Sequence, residues 1–223
     1  MSAFFVTATG TDIGKTYVTA GLIRRLRAQG KAVSALKPVV SGFGDPCASD
    51  TGLLLAALGE PAADDAVARL SPWRFAAPLS PDMAAAREGR AVDFDVLLRF
   101  CRRGIAECDG TLFIEGVGGI MVPIDAQRTV LDWMAELGIP IILVVGGYLG
   151  TLSHTLTALD VLAQRKLSIA AIVVSESERN PVALEETVAS IARFAGSVPV
   201  IGLPRLPSGI TEHPAFARIA ALL

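Results

Sequence analysis

Gly14, Lys15 and Thr16 of this 223-residue chain are of the types and spacing that could hold a polyphosphate. Glycine lets the backbone turn N–H groups toward an anion, lysine reaches the terminal phosphates, and a threonine hydroxyl can ligate magnesium. The apolar run 4–6 before them predicts a buried strand, and Val18, Leu22 and Leu26 after them predict a helix, stopped by Gly30, whose positive dipole end faces the same anion. The match to G-x-x-x-x-G-K-[ST] is imperfect, because Thr9 stands where the pattern has glycine and the nearest glycine is Gly10.

Further charged residues fall at the ends of apolar runs. Lys37 follows the run 33–36 and precedes Pro38, which bars the helical region to Lys37 and lacks a ladder donor, so 37–42 reads as a strand end opening into a loop. Such ends are where open α/β sheets bind ligands. Glu115 tips the run 111–114 and is followed by Gly116, Gly118 and Gly119; no helix pattern follows it, so a metal or water ligand is a better reading than a cap. Asp50, behind Ser49, is either a helix N-terminal carboxylate or a magnesium ligand. Gly150 and Thr151 open another helix and offer an anion site that suits a carboxylate as well as a phosphate. His154 and His213 stand in no metal spacing and read as structural or solvated, and no Ser-His-Asp arrangement is visible.

The elements that must position these residues follow from periodicity. Short apolar runs alternate with segments of helical period, which predicts an α/β fold: a mostly parallel central sheet with helices on both faces. Further strands are expected at 141–145, 169–174 and 198–203, with helices at 15–29, 51–58, 81–87, 94–107, 181–191 and 214–223, and one running to about residue 164. The proline-rich segment 69–81 reads as an ordered excursion without regular structure. A net charge of −2 and a pI near 5.7 offer no reason to expect nucleic acid or an anionic membrane, so small molecules are the expected partners. Cys47, Cys101 and Cys108 form no C-x-x-C pair, which argues against a disulfide framework or a zinc site. The apolar run 139–147 is too short to span a bilayer, and one cytoplasmic domain covering 1–223 is expected.

Taken together, Gly14-Lys15-Thr16, KPVVSG at 37–42, Asp50, FAAPLSP at 75–81, EGVGG at 115–119 and VVGGYLG at 144–150 resemble the dethiobiotin synthetases. That resemblance implies a P-loop NTPase-like fold with a deviant Walker A loop and a homodimer. It also implies an ATP- and magnesium-dependent closure of a ureido ring on 7,8-diaminopelargonic acid with CO2 or bicarbonate. Carried over residue by residue, it puts the nucleotide on Asp12, Ile13, Gly14, Lys15, Thr16, Tyr17, Glu115 and Ser175. Magnesium falls to Thr16, Asp50 and Glu115, and the chemistry to Lys37, Lys15 and Thr11. The diamine falls to Thr11, Lys37, Ser41 and Gly118, with its carboxylate held by the partner subunit's turn at Leu149, Gly150 and Thr151. Three positions depart from the family pattern: Ala8 where glycine is usual, Ser175 where an asparagine reads adenine, and Tyr148 where a basic residue is common. A positioning ATPase of the MinD/ParA type would share the fold, but its signature lysine is replaced by Gly10.

Overall fold

The computed structural model describes residues 2–207 and 210–223. The chain runs β1 (Ser2–Ala8), α1 (Lys15–Ala28), β2 (Val33–Leu36), β3 (Val39–Ser41), α2 (Asp50–Leu58), α3 (Asp64–Leu70), β4 (Trp73–Phe75), α4 (Pro81–Arg87) and α5 (Phe94–Ala106). It continues through β5 (Thr111–Glu115), α6 (Val130–Leu137), β6 (Ile141–Gly146), α7 (Thr151–Gln164), β7 (Ile169–Ser175), α8 (Leu184–Ala192), β8 (Val200–Leu203) and α9 (Pro214–Ala220). Six strands pair in the order β2-β5-β1-β6-β7-β8, every pairing parallel, and β3 and β4 form a separate parallel pair.

A parallel sheet is covered on both faces, so its strands are apolar throughout rather than alternating. All six residues of β6 are buried. In β1 the alternation of side chains sends Phe5 into one core and Phe4, Val6 and Ala8 into the other. The first core is covered by α4 to α8 and centres on Trp133, whose ring meets Phe5 edge-on at 4.9 Å. The second is covered by α1, α2, α3 and α9. β1 lies between β5 and β6, and the chain leaves it toward β2 but later returns on the other side through β6. The carboxyl ends of the strands flanking β1 therefore open a crevice, where such sheets place ligands.

Two regions differ from the expectation. Within segments 37–42 and 69–81 two short strands, β3 and β4, pair with each other and α3 precedes β4, while 76–80 carries no regular structure. Pro38 does not disturb this, because it contributes only its carbonyl, which accepts from Trp73 N–H at 3.1 Å, while Lys37 N–H donates to Leu70 O at 3.1 Å. Three-residue strands carry too little pattern to be read. α8 begins at Leu184 rather than at 181, its first turn tied by Ala183 N–H to Glu186 Oε1 at 3.3 Å. Among the described residues no helix is long and apolar enough to cross a membrane.

The three thiols are free; Cys101 and Cys108 are buried and Cys47 is exposed. Burial pushes the Cys101 thiol up to about 12, and a thiol held neutral is a poor nucleophile. Ellman's reagent should therefore titrate Cys47 alone in the native protein and all three cysteines in guanidinium; rapid reaction of a second thiol under native conditions would contradict this packing.

Candidate active site

The phosphate loop is residues 9–14, between the end of β1 and the start of α1. Gly14 caps α1 in the left-handed region, φ 101°, and a Cβ there would also meet Ser175 Oγ at 2.7 Å, so position 14 requires glycine. No side chain caps this helix and its first turn carries no acid, which leaves its N–H groups and dipole free for an anion. Ala8 raises no difficulty: it is a buried residue of β1, and among the described residues the non-glycine ones with positive φ are Asp12, at 56°, and Lys166. The local strain thus sits on Asp12, a residue type that tolerates that region. Lys15 Nζ donates to Gly10 O at 3.0 Å; burial, reinforced by the Lys37 charge, pushes its pKa down to about 8.

Lys37 and Glu115 meet beneath this loop. Each terminates or follows a neighbouring strand, β2 and β5, so parallel register brings them together although 78 residues separate them. Lys37 is 2% exposed and Glu115 is fully buried. Lys37 Nζ donates to Glu115 Oε1 at 2.7 Å and to Gly116 O at 2.9 Å, and it lies 3.2 Å from Asp50 Oδ2 at the start of α2. Burial alone would lower the Lys37 pKa, but the two carboxylates override it and push it up; likewise the Lys37 ammonium overrides partial burial and holds the Asp50 pKa down. Thr16 Oγ1 donates to the same Glu115 Oε1 at 2.6 Å, while Glu115 Oε2 is buried with no partner among the described residues. An orphaned carboxylate oxygen beside a hydroxyl and a second carboxylate is a hard oxygen set that fits magnesium. Among the described residues no group of three or more His, Cys, Asp or Glu gathers, so a metal here would draw its other ligands from phosphates and water.

Above these groups lies a cavity of about 740 Å³. Of the expected site residues, Thr11, Asp12, Gly14, Lys15, Thr16, Tyr17, Lys37, Ser41, Asp50 and Gly118 line it. Glu115 lies behind them, and Ile13 packs toward the second core. Ser175 rests against the phosphate loop at Gly14. Leu149, Gly150 and Thr151 are not brought to this cavity: Leu149 is 86% exposed, and Thr151 Oγ1 donates to Gly146 O. The far wall, Pro78 to Pro81, belongs to the proline-rich FAAPLSP stretch; β4 and the bond from Gly42 N–H to Ala77 O hold it in place. The carbonyls of Gly10 and Gly116, which receive the two lysines, carried no sequence signal, since any residue supplies a carbonyl. His154 pairs with Tyr148 Oη at 2.8 Å at the surface, and His213 caps α9. The loop after β7 ties its neighbours together: Gly147 N–H donates to Ser177 Oγ, Arg205 N–H donates to Glu176 Oε2, and the Asn180 amide is committed to Glu176 and Ser177.

A parallel sheet with a glycine-capped phosphate loop and a carboxylate at the adjacent strand tip defines a P-loop NTPase-like protein. Residues 2–211 match the family described as AAA domain. Solved structures of the cell-division ATPase MinD from Pyrococcus furiosus (17% identity, TM-score 0.58, 100% and 98% of the two chains) and of the receptor FtsY from Elizabethkingia anophelis (14%, 0.53, 98% and 65%) share the fold. Curated relatives named ATP-dependent dethiobiotin synthetase are far closer in sequence. That of Acidiphilium cryptum is 52% identical over 89% of this chain and 91% of its own, that of Methylobacterium nodulans 51% over 88% and 90%, and that of Anaeromyxobacter dehalogenans 37% over 99% and 98%. The chain belongs to the dethiobiotin synthetase family.

The turn 116–119 also shapes the loop: a Cβ on Gly119 would lie 3.2 Å from Gly10 Cα, Gly10 N and the Thr9 carbonyl carbon, all backbone atoms that cannot rotate away. Gly119→Ala should displace the phosphate loop and weaken nucleotide binding about tenfold. Calorimetry with a non-hydrolysable ATP analogue measures it, and unaltered affinity would show that the loop tolerates the contact.

Proposed function

We propose that this chain is a single-domain dethiobiotin synthetase that uses ATP and magnesium to close a ureido ring on 7,8-diaminopelargonic acid. The observation that carries the reading is the buried Lys37, which lines one cavity with Lys15 and with Ser41, whose Oγ is buried without a partner among the described residues. Two lysines there suit a reaction with a triphosphate and a second anion. One substrate amine adds to CO2 and loses a proton, giving a carbamate. The carbamate oxygen takes the γ-phosphoryl group and ADP departs; the second amine then attacks the carbonyl carbon, loses its proton and expels phosphate.

No covalent bond to the protein is needed, so its work is alignment and charge neutralisation. Gly14, Thr16 and the first turn of α1 cradle the phosphates, with Asp12, Ile13 and Tyr17 flanking them. Lys15 stabilises charge on the group in transfer. Lys37, a compact cation, follows the carbamate as it becomes an acyl phosphate, while Thr11, Ser41 and Gly118 orient the diamine. Thr16, Asp50 and Glu115 would hold the magnesium, which when bound neutralises the phosphates. Leu149, Gly150 and Thr151 lie outside their own cavity, and the uncapped start of α7 suits a carboxylate; we assign them to the diamine carboxylate of the partner subunit in a homodimer. Ser175 lacks an amide, and the Asn180 amide is already committed, so neither offers a paired donor and acceptor to a base; several nucleotides should serve.

Mass detection of dethiobiotin from diaminopelargonic acid, bicarbonate and a panel of nucleoside triphosphates tests reaction and base choice together. ADP release that needs neither diamine nor bicarbonate would point instead to a simple ATPase switch. Lys37→Ala should lower kcat by about 10² or more, and near-normal turnover would remove Lys37 from the chemistry. Lys15→Ala should lose nucleotide affinity as well as rate; normal binding by calorimetry would contradict the phosphate-loop assignment.

A further inference from the structure

In this structure the Lys37 ammonium is held by three oxygens: it donates to Glu115 Oε1 at 2.7 Å and to Gly116 O at 2.9 Å, and it is ion-paired with Asp50 Oδ2 at 3.2 Å. The proposed reaction requires the same ammonium to turn toward the carbamate, away from the carboxylates that neutralise it here. Two of the three oxygens belong to the carboxylates suited to a divalent cation, and two cations compete for the same oxygens through their mutual repulsion. The route for exchange is visible as well. Glu115 Oε2 is buried without a partner among the described residues, and the Asp50 side chain is 44% exposed, so an entering ion finds one oxygen open and another at the surface before the ammonium moves.

We propose that Lys37 is the internal counter-ion of the two carboxylates in the metal-free enzyme: it holds Glu115 and Asp50 in place until a divalent cation takes them, and only then is released toward the substrate. The proposal rests on the synthetase reading and its metal assignment. Two consequences follow from the shared oxygens. The carboxylates are kept converged without a metal, and cation binding precedes engagement of the carbamate by Lys37.

The test is a Mn2+ titration followed by electron paramagnetic resonance, at a saturating non-hydrolysable ATP analogue, on the wild type, Lys37→Met and Glu115→Gln. Removing the competing ammonium should tighten Mn2+ binding about tenfold or more; an affinity equal to or weaker than wild type overturns the exchange. Because Lys37→Met strands the Glu115 charge and can unfold the protein, a second measurement uses the wild type. The Lys37 ammonium resonance of 15N-labelled protein, assigned by its loss in Lys37→Arg, should shift or broaden when Mg2+ is added to the analogue complex; an unchanged resonance overturns the proposal. The two levels fail differently. Mn2+ affinity that depends on Glu115 but not on Lys37 leaves the metal assignment standing and sinks only the exchange, whereas affinity indifferent to Glu115 sinks both.

Discussion

The structure turns on a charge that the fold cannot leave alone. Glu115 is fully buried at the tip of a central strand, and a carboxylate there is tolerable only with a cation beside it. Lys37, buried in turn, supplies that cation, and each makes the other's burial possible. Truncating one member of such a pair typically costs about 3–5 kcal/mol because the survivor is left uncompensated. Replacing both with apolar residues can be neutral, so stability does not explain their presence. What explains it is the position: Lys37 lines the crevice where phosphates and a metal would arrive, and Glu115 stands directly behind it.

The remaining architecture serves that position. The β2-β5-β1 register sets Lys37 beside Glu115 and both beneath the phosphate loop. α2 delivers Asp50 at its first turn, with Ser49 as the cap accepting from Gly52 N–H at 3.1 Å. The small β3–β4 pair and the Gly42 N–H to Ala77 O bond fix the far wall. Gly119 and Gly14 allow backbone approaches that a side chain would block. The charged residues of the site therefore sit at strand ends and helix starts, while Thr11, Asp12, Gly42, Leu79, Gly118 and Val122 line it from the connecting loops.

Much of this was legible from residue types. The six central strands announce themselves as apolar runs because both faces of the sheet are covered, and the start of α2 carries its cap, Ser49. Lys15 and Thr16 were readable from the dipeptide after Gly14, and Lys37, Asp50 and Glu115 from charges placed at the ends of such runs. The β3–β4 pair and α3 were not legible, since short elements held by backbone bonds to Pro38, Leu70 and Ala77 have no periodicity of their own. Ala8 looked like a hazard because the loop was counted from the motif; the strand in fact continues through it, and Asp12 bears the left-handed turn.

The amino-acid order by itself determined the alternating α/β plan, the phosphate loop and the set of charged residues, because those depend on local pattern and side-chain chemistry. It could not determine that Lys37 donates to Glu115 and Gly116 and pairs with Asp50, or that Leu149, Gly150 and Thr151 do not line their own cavity. Those outcomes depend on strand register and helix packing between segments far apart in the chain. Only the folded backbone specifies which distant oxygen a given ammonium meets.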